Sequence, residues 1–248
     1  MKRLFKYVYI SVFLITGMGF VSSSVINSTS DRPIAIVKHF KPDVNLRNLE
    51  VDKDLMLDPQ ENMGEQLFSG DSLITREEGF ALVVFMDRSV AKVKPSSMLI
   101  LKGEVGTASK EMSTRIDLEE GEVFLEVQPQ GGNDFEVATN RSLASVKGTN
   151  FGNRSDGYIW VQEGQVDVTA LNSGQTVSLF EKMYAQVDDQ GNDIQSGTLS
   201  DEEIEELDEG FDEVEDNDLE QKEIILKFRD QNGQLQEITI DVFEEGNN

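Results

Sequence analysis

The chain contains no cysteine. That excludes disulfides, thiolate metal sites, a cysteine nucleophile and a lipoprotein-type cysteine anchor. It contains one histidine, His39, so neither a His-containing catalytic triad nor a multi-histidine metal site can be assembled. Basic residues are scarce: 22 Lys and Arg stand against 47 acids, for a formal net charge of -25. Nucleic acid and anionic membrane surfaces would be repelled by such a chain. The acidity serves solubility, in a saline habitat included, or else marks a surface for cations or a basic partner. Proline is limited to five residues, three of which (Pro33, Pro42 and Pro59) break the segment before residue 60.

Apolar residues make up 38% of the chain, with 14 Phe, enough to form a packed core over part of it. Lys2, Arg3 and Lys6 precede an apolar stretch from Tyr7 to Val21, followed by Ser22 and Ser23. A positive start, an apolar run and small residues after it are the pattern of an export signal. At about 15 residues the run is short for a bilayer core, which favours cleavage near Ser22; Val25 and Ile26 leave an uncleaved anchor as the alternative. Either way, the remainder is expected outside the cytoplasm, in the periplasm or cell envelope, touching membrane only through this segment.

From Leu67 to Val187 short β-branched and aromatic runs alternate with Gly, Ser and Asp turns at intervals of about 8 to 12 residues, and no segment keeps a helical period. Phe80–Phe85 is a continuous apolar run; Ser89–Val93 and Arg115–Leu118 alternate. Leu118-Glu119-Glu120-Gly121-Glu122-Val123 is echoed by Val161-Gln162-Glu163-Gly164-Gln165-Val166, each reading as strand, tight turn with Gly at positive φ, and strand. Repeated turns of one kind predict an all-β fold of stacked short strands, a β-roll or β-helix-like domain. Ser200 and Glu203 form a capping-box pattern and predict a short helix over 201–208. Residues 205–220 read as a solvated acidic linker, and the apolar runs flanking Asn232-Gly233 as a C-terminal β-hairpin. That hairpin is expected to dock in cis on an open sheet edge, or on a partner by strand addition.

Val146-Lys147-Gly148-Thr149-Asn150-Phe151, followed by Ile159 to Val161 and Glu163-Gly164-Gln165-Val166, resembles the FecR domain family. Gly70-Asp71 with Ile74 and Thr75, Pro95 to Leu99, Leu118 to Val123 with Gly121, and Phe135 to Thr139 are similar to further elements of that family, in the same order. The residues carrying the likeness are Gly70, Asp71, Gly121, Val146, Gly148, Thr149, Phe151, Glu163 and Gly164. Read physically they are architectural: Gly148 permits a bend or close approach within a strand, Thr149 holds it by a hydroxyl-to-backbone bond, and Phe151 returns to the core. The family implies an envelope domain of sigma-factor regulators that receives a signal from an outer-membrane transporter. Only Met1 to Lys6 precede the apolar run, too few for an anti-sigma segment, so what carries over is an exported interaction module.

These observations divide the chain into a signal peptide or membrane anchor (1–23), an N-terminal extension (24–63), a FecR-like β domain (64–190), an acidic helix and linker (191–221) and a hairpin (222–248). A non-enzymatic binding or scaffold role follows, with an envelope protein or surface glycan as partner and no cofactor. The runner-up is a membrane-anchored component of transport-linked signalling whose output a partner supplies. An enzyme is disfavoured: no Ser-x-x-Lys arrangement in a helical context, no phosphate loop and no metal-ligand spacing is present. Asp188 to Asp193 offers oxygen ligands without the spacing of a calcium loop and reads as a polar turn. Tyr158 and Trp160 share one strand face, the candidate partner face; the competing expectation is that both rings fill a second packed layer.

Overall fold

The computed structural model describes residues 32–105, 112–129, 134–211, 219–229 and 234–245. The N-terminal export segment and residues 212–218 of the acidic linker lie outside the described residues, as does the Asn232-Gly233 turn. Eighteen strands form two nine-stranded sheets. They are β1 (Ala35–Lys41), β2 (Val44–Asn48), β3 (Lys53–Met56), β4 (Gln66–Leu67), β5 (Ser72–Thr75), β6 (Phe80–Phe85), β7 (Val90–Val93), β8 (Ser97–Val105) and β9 (Met112–Glu120). There follow β10 (Glu122–Val127), β11 (Phe135–Ala138), β12 (Ser142–Val146), β13 (Thr149–Arg154), β14 (Tyr158–Glu163), β15 (Gln165–Ala170), β16 (Thr176–Phe180), β17 (Met183–Val187) and β18 (Ile194–Thr198). One helix, α1 (Asp201–Asp208), comes next, then β19 (Leu219–Arg229) and β20 (Leu235–Glu245), which pair only with each other.

Sheet I runs β18-β17-β14-β13-β10-β7-β6-β1-β4 and sheet II runs β16-β15-β12-β11-β9-β8-β5-β2-β3. From β5 onward the chain visits the two sheets alternately and advances along both in the same direction. The fold is therefore all-β and stacked. Its neighbours pair antiparallel, except for the parallel contact of β9 with β11, so it is a rolled sandwich rather than a parallel β-helix. The inner faces of both sheets supply one aliphatic core that includes Val83, Leu125, Phe151 and Val161 of sheet I and Leu99, Ile116, Val137 and Val168 of sheet II. Side chains alternate across each pleat, so β12, with Ser142, Ala144 and Val146 buried and Leu143 and Ser145 less so, shows the inward and outward sets directly.

Residues 35–56, read from the sequence as part of an N-terminal extension, contribute β1–β3 to the same two sheets. β1 lies between β6 and β4, and β2 between β5 and β3, so neither is an edge. Pro33 and Pro42 fall just outside β1, where a missing N–H leaves the ladder intact. β18, placed by the sequence reading in the linker region, is an edge strand of sheet I. The helix has the expected box: the Glu203 amide donates to Ser200 Oγ at 3.3 Å and the Ser200 amide to Glu203 Oε2 at 2.8 Å. The terminal hairpin forms with Arg229 opposite Leu235, and β20 passes near β1 rather than extending the open edge strands.

Candidate functional site

The corners where the chain changes sheet hold most of the residues singled out by sequence. Gly148 lies between β12 in sheet II and β13 in sheet I, so it sits at a corner and not within a strand. Its φ of 135° is one that a residue with a side chain rarely adopts, and an added Cβ would fall 3.1 Å from Pro129 Cα. The Thr149 hydroxyl donates to the Gln165 carbonyl at 2.8 Å. That bond pins this corner to the next one, where Gly164 (φ 92°) carries the chain from β14 back to β15. A Cβ on Gly164 would lie 2.8 Å from the Gly148 carbonyl oxygen, so the two corners touch. Gly121 makes the equivalent crossing from β9 to β10, which explains the sequence echo.

Val146 and Phe151 flank the corner from inside the core, and Glu163 beside it is exposed, its carboxylate 3.4 Å from Asn150 Nδ2. Gly70 and Asp71 form another corner, between β4 and β5. The buried Asp71 carboxylate accepts from Asn48 Nδ2 at 2.7 Å and from the Phe68 amide at 3.0 Å, with Lys53 Nζ 3.8 Å away. The signature residues thus hold separate corners and do not converge on one site.

Tyr158 and Trp160 point to the outer face of sheet I, away from the aliphatic core. As an exposed partner face this pair is corrected by the structure: Trp160 is fully buried. It packs with Phe80, Leu82, Phe124 and Phe211 in a second cluster, against which Tyr158, Tyr184, Leu199 and Leu207 lie partly buried. Space for the indole is made by Gly152 on the neighbouring strand, whose Cβ, if present, would meet the ring at 1.9 Å. Trp160 Nε1 donates to Asp208 Oδ1 at 3.3 Å and Gln162 Nε2 to Asp208 Oδ2 at 2.6 Å, so the polar edge of the ring is answered by the helix. Tyr158 stacks on Tyr184 with 5.5 Å between ring centroids, and burial, with Tyr184 and Glu203 nearby, raises its hydroxyl pKa.

Residues 199–211 therefore form a strap across an aromatic face. Leu199 N donates to the Lys182 carbonyl at 2.8 Å, Lys182 Nζ pairs with Asp201 at 2.6 Å, and Lys94 Nζ stands 4.1 Å above the Phe211 ring. Beside the strap a groove of about 610 Å³ remains, floored by Phe124 and Phe211 and edged by Lys92, Glu126, Glu205 and Glu206. The sequence carried the expectation of a second packed layer over Tyr158 and Trp160 but did not point to residues 199–211 as its cover. The signal was Phe80–Phe85, apolar at every position and buried at every position, which marks a strand covered on both faces. Among the described residues, no group of three or more His, Asp or Glu is placed to hold a metal ion. The arrangement offers apolar surface, rings and fixed charges, which is the chemistry of binding.

A two-sheet roll with paired glycine corners and a covered aromatic face is the class of protein so far defined. Residues 71–167 match the family model described as "FecR protein". The matched span runs from the Asp71 corner into β15; β1–β4 and β16–β18 lie outside it and complete the same two sheets. No curated protein matches the chain. Two crystal structures of a "putative anti-sigma factor" from Parabacteroides distasonis ATCC 8503, at 2.50 and 1.65 Å resolution, are similar with a TM-score of 0.45 and 18% identity. Each alignment covers 55% of this chain and 63% of that protein, so the likeness spans less than two thirds of its length.

Proposed function

We infer that the protein is an exported, non-enzymatic FecR-domain module that binds a partner in the cell envelope. The observation that carries the export reading is the sequence of Lys2, Arg3 and Lys6 followed by uncharged residues up to Asp31. The binding reading is supported by the use of the signature residues: Asp71 and Thr149 spend their polar atoms on backbone and core partners, which leaves surfaces rather than a reactive centre to carry function. A protein or a surface glycan is the partner class, since the net charge of -25 disfavours nucleic acid and anionic lipid.

Cell fractionation with N-terminal sequencing tests the reading. The expected result is an envelope-fraction protein beginning near Ser22 or Ser23. Full-length chain in the cytosol overturns it. A second reading, a membrane-anchored part of transport-linked signalling, is favoured by the FecR match together with Val25 and Ile26, which lengthen the apolar run. An uncleaved chain that resists alkaline extraction from membranes selects this second reading.

A further inference from the structure

The helix of the strap joins neither sheet's hydrogen-bond ladder and is held to the sandwich by side chains. It has eight residues, below the length at which a helix is stable by itself in water. Seven of the nine residues from Asp201 to Glu209 are acidic, and no basic residue occupies the last turn, so its charges repel one another and oppose the helix dipole at its C-terminal end. The strap's attachments include Phe211, whose ring lies 5.5 Å from Phe124 and 6.4 Å from Trp160; Asp208, bonded to Trp160 and Gln162; the Lys182–Asp201 pair; the Leu199 amide on the Lys182 carbonyl; and the apolar side chains of Ile204 and Leu207. The groove beside it shows that the cover is incomplete.

The face beneath meets the acids of its cover at two places. Lys92 and Lys94 are paired within sheet I, with Glu126 at 3.0 Å and Glu122 at 2.9 Å, so the strap's acids are answered by Lys182, at Asp201, and by the Trp160 and Gln162 N–H donors, at Asp208. Lys94 lies over the aromatic anchor and Lys182 on the first acid of the helix. The aromatic floor, Lys94 over the Phe211 ring, Lys182 and the two N–H donors to Asp208 together select an acidic amphipathic helix with a bulky aromatic residue. We propose that the outer face of sheet I is a docking groove for such a helix, and that residues 199–211 keep it closed in cis until a partner segment of the same chemistry displaces them. This deepens the binding-module reading and depends on it for the existence of a partner; the groove itself is tested without one.

Trp160 is the only tryptophan, so its emission reports the groove alone. The full chain carrying Leu207→Ala and Phe211→Ala is compared with the unmodified protein. The far-UV β signal is expected to stay, while emission moves to longer wavelength and acrylamide quenching rises about fivefold as the strap opens locally. A synthetic peptide of residues 199–211 added in trans to the variant restores the buried emission. The peptide with every acid replaced by Gln binds about tenfold more weakly at low salt. Unchanged quenching in the variant, or failure of the peptide to restore emission, overturns the proposal. Should the variant not fold, hydrogen exchange on the unmodified chain decides: amides of 201–211 must exchange well before those of β13 and β14, and equal protection overturns the proposal. A cytosolic location would remove the envelope reading and leave every one of these results standing.

Discussion

On sheet II the outward positions carry Lys102, Arg115, Asp117 and Glu136, linked as ion pairs across β8, β9 and β11, and further along Asp167 accepts from Gln165 and Ser178. On sheet I the outward positions carry Phe80, Leu82, Phe124 and Trp160. Both sheets contribute to one aliphatic interior, and antiparallel sheets commonly leave one face to water. Sheet II does so with a polar ladder. Sheet I instead has large apolar rings outside and needs a cover, which the chain supplies after β18. The difference teaches that the sandwich is complete at β18 as hydrogen-bonded structure but not as buried surface.

If the outer cluster is a true second core, removing Trp160 must cost as much as removing a residue of the first. Trp160→Ala and Phe151→Ala are each expected to lose about 3–5 kcal/mol of unfolding free energy, measured by denaturant melts of the two variants. Gly152→Val belongs with them, since its new Cβ would overlap the indole and force it out of place. A Trp160→Ala cost near zero would mean that the outer face is only a lightly covered surface.

Gly148→Val probes the joint between the sheets and is expected to cost about 1–3 kcal/mol through its backbone conformation. Its thermal melt should keep a single transition, because the strain acts on both sheets at once.

On the polar side the effects shrink. Burial by itself would raise the Asp117 pKa, but hydrogen bonds and charge from Lys102 and Arg115 outweigh it and hold the carboxyl below its ordinary value. A carboxyl lowered on folding adds stability above the unfolded carboxylate range and loses it as the pH falls. Asp117→Asn is therefore expected to cost less than about 1 kcal/mol at neutral pH, because its cationic partners are half exposed, and nothing once the pH is well below about 4. Melts of both proteins across that range should converge at the acid end.

The smallest global effect is expected from Ser200→Ala. Bonds from the Ser200 amide and hydroxyl keep the Glu203 pKa low, so the capping box is present at neutral pH and weakens on acidification. The variant should leave the melting temperature of the sandwich unmoved and increase the acrylamide quenching of Trp160.

Much of this fold was legible where one residue type has one local use. Ser200 and Glu203 announced the helix start, and the paired Glu-Gly turns at Gly121 and Gly164 announced two corners. What period-two alternation cannot say is which sheet a strand joins, since either sheet buries the same alternate positions. For that reason Gly148 read as a bend within a strand, although it separates strands of opposite sheets. β1–β3 were obscured by their flanking prolines. The segment that covers Trp160 was hidden because Phe211, which packs on the ring, stands alone after an acidic run that by composition reads as solvated linker.

From β5 onward the strands advance along both sheets in step with the sequence, and that order has a mechanical consequence. Each layer is bonded only to the layers before and after it, as in a repeat protein. Tension applied beyond α1 first loads the strap and then β18, which is bonded along one side to β17 alone. Such an edge strand peels bond by bond, and β17 becomes the next edge. β1, held between β6 and β4 at the far end of sheet I, bears load last from that direction. Pulled from its C-terminal side, the roll lengthens in graded steps, one layer at a time, with the aromatic face of sheet I uncovered at the first of them.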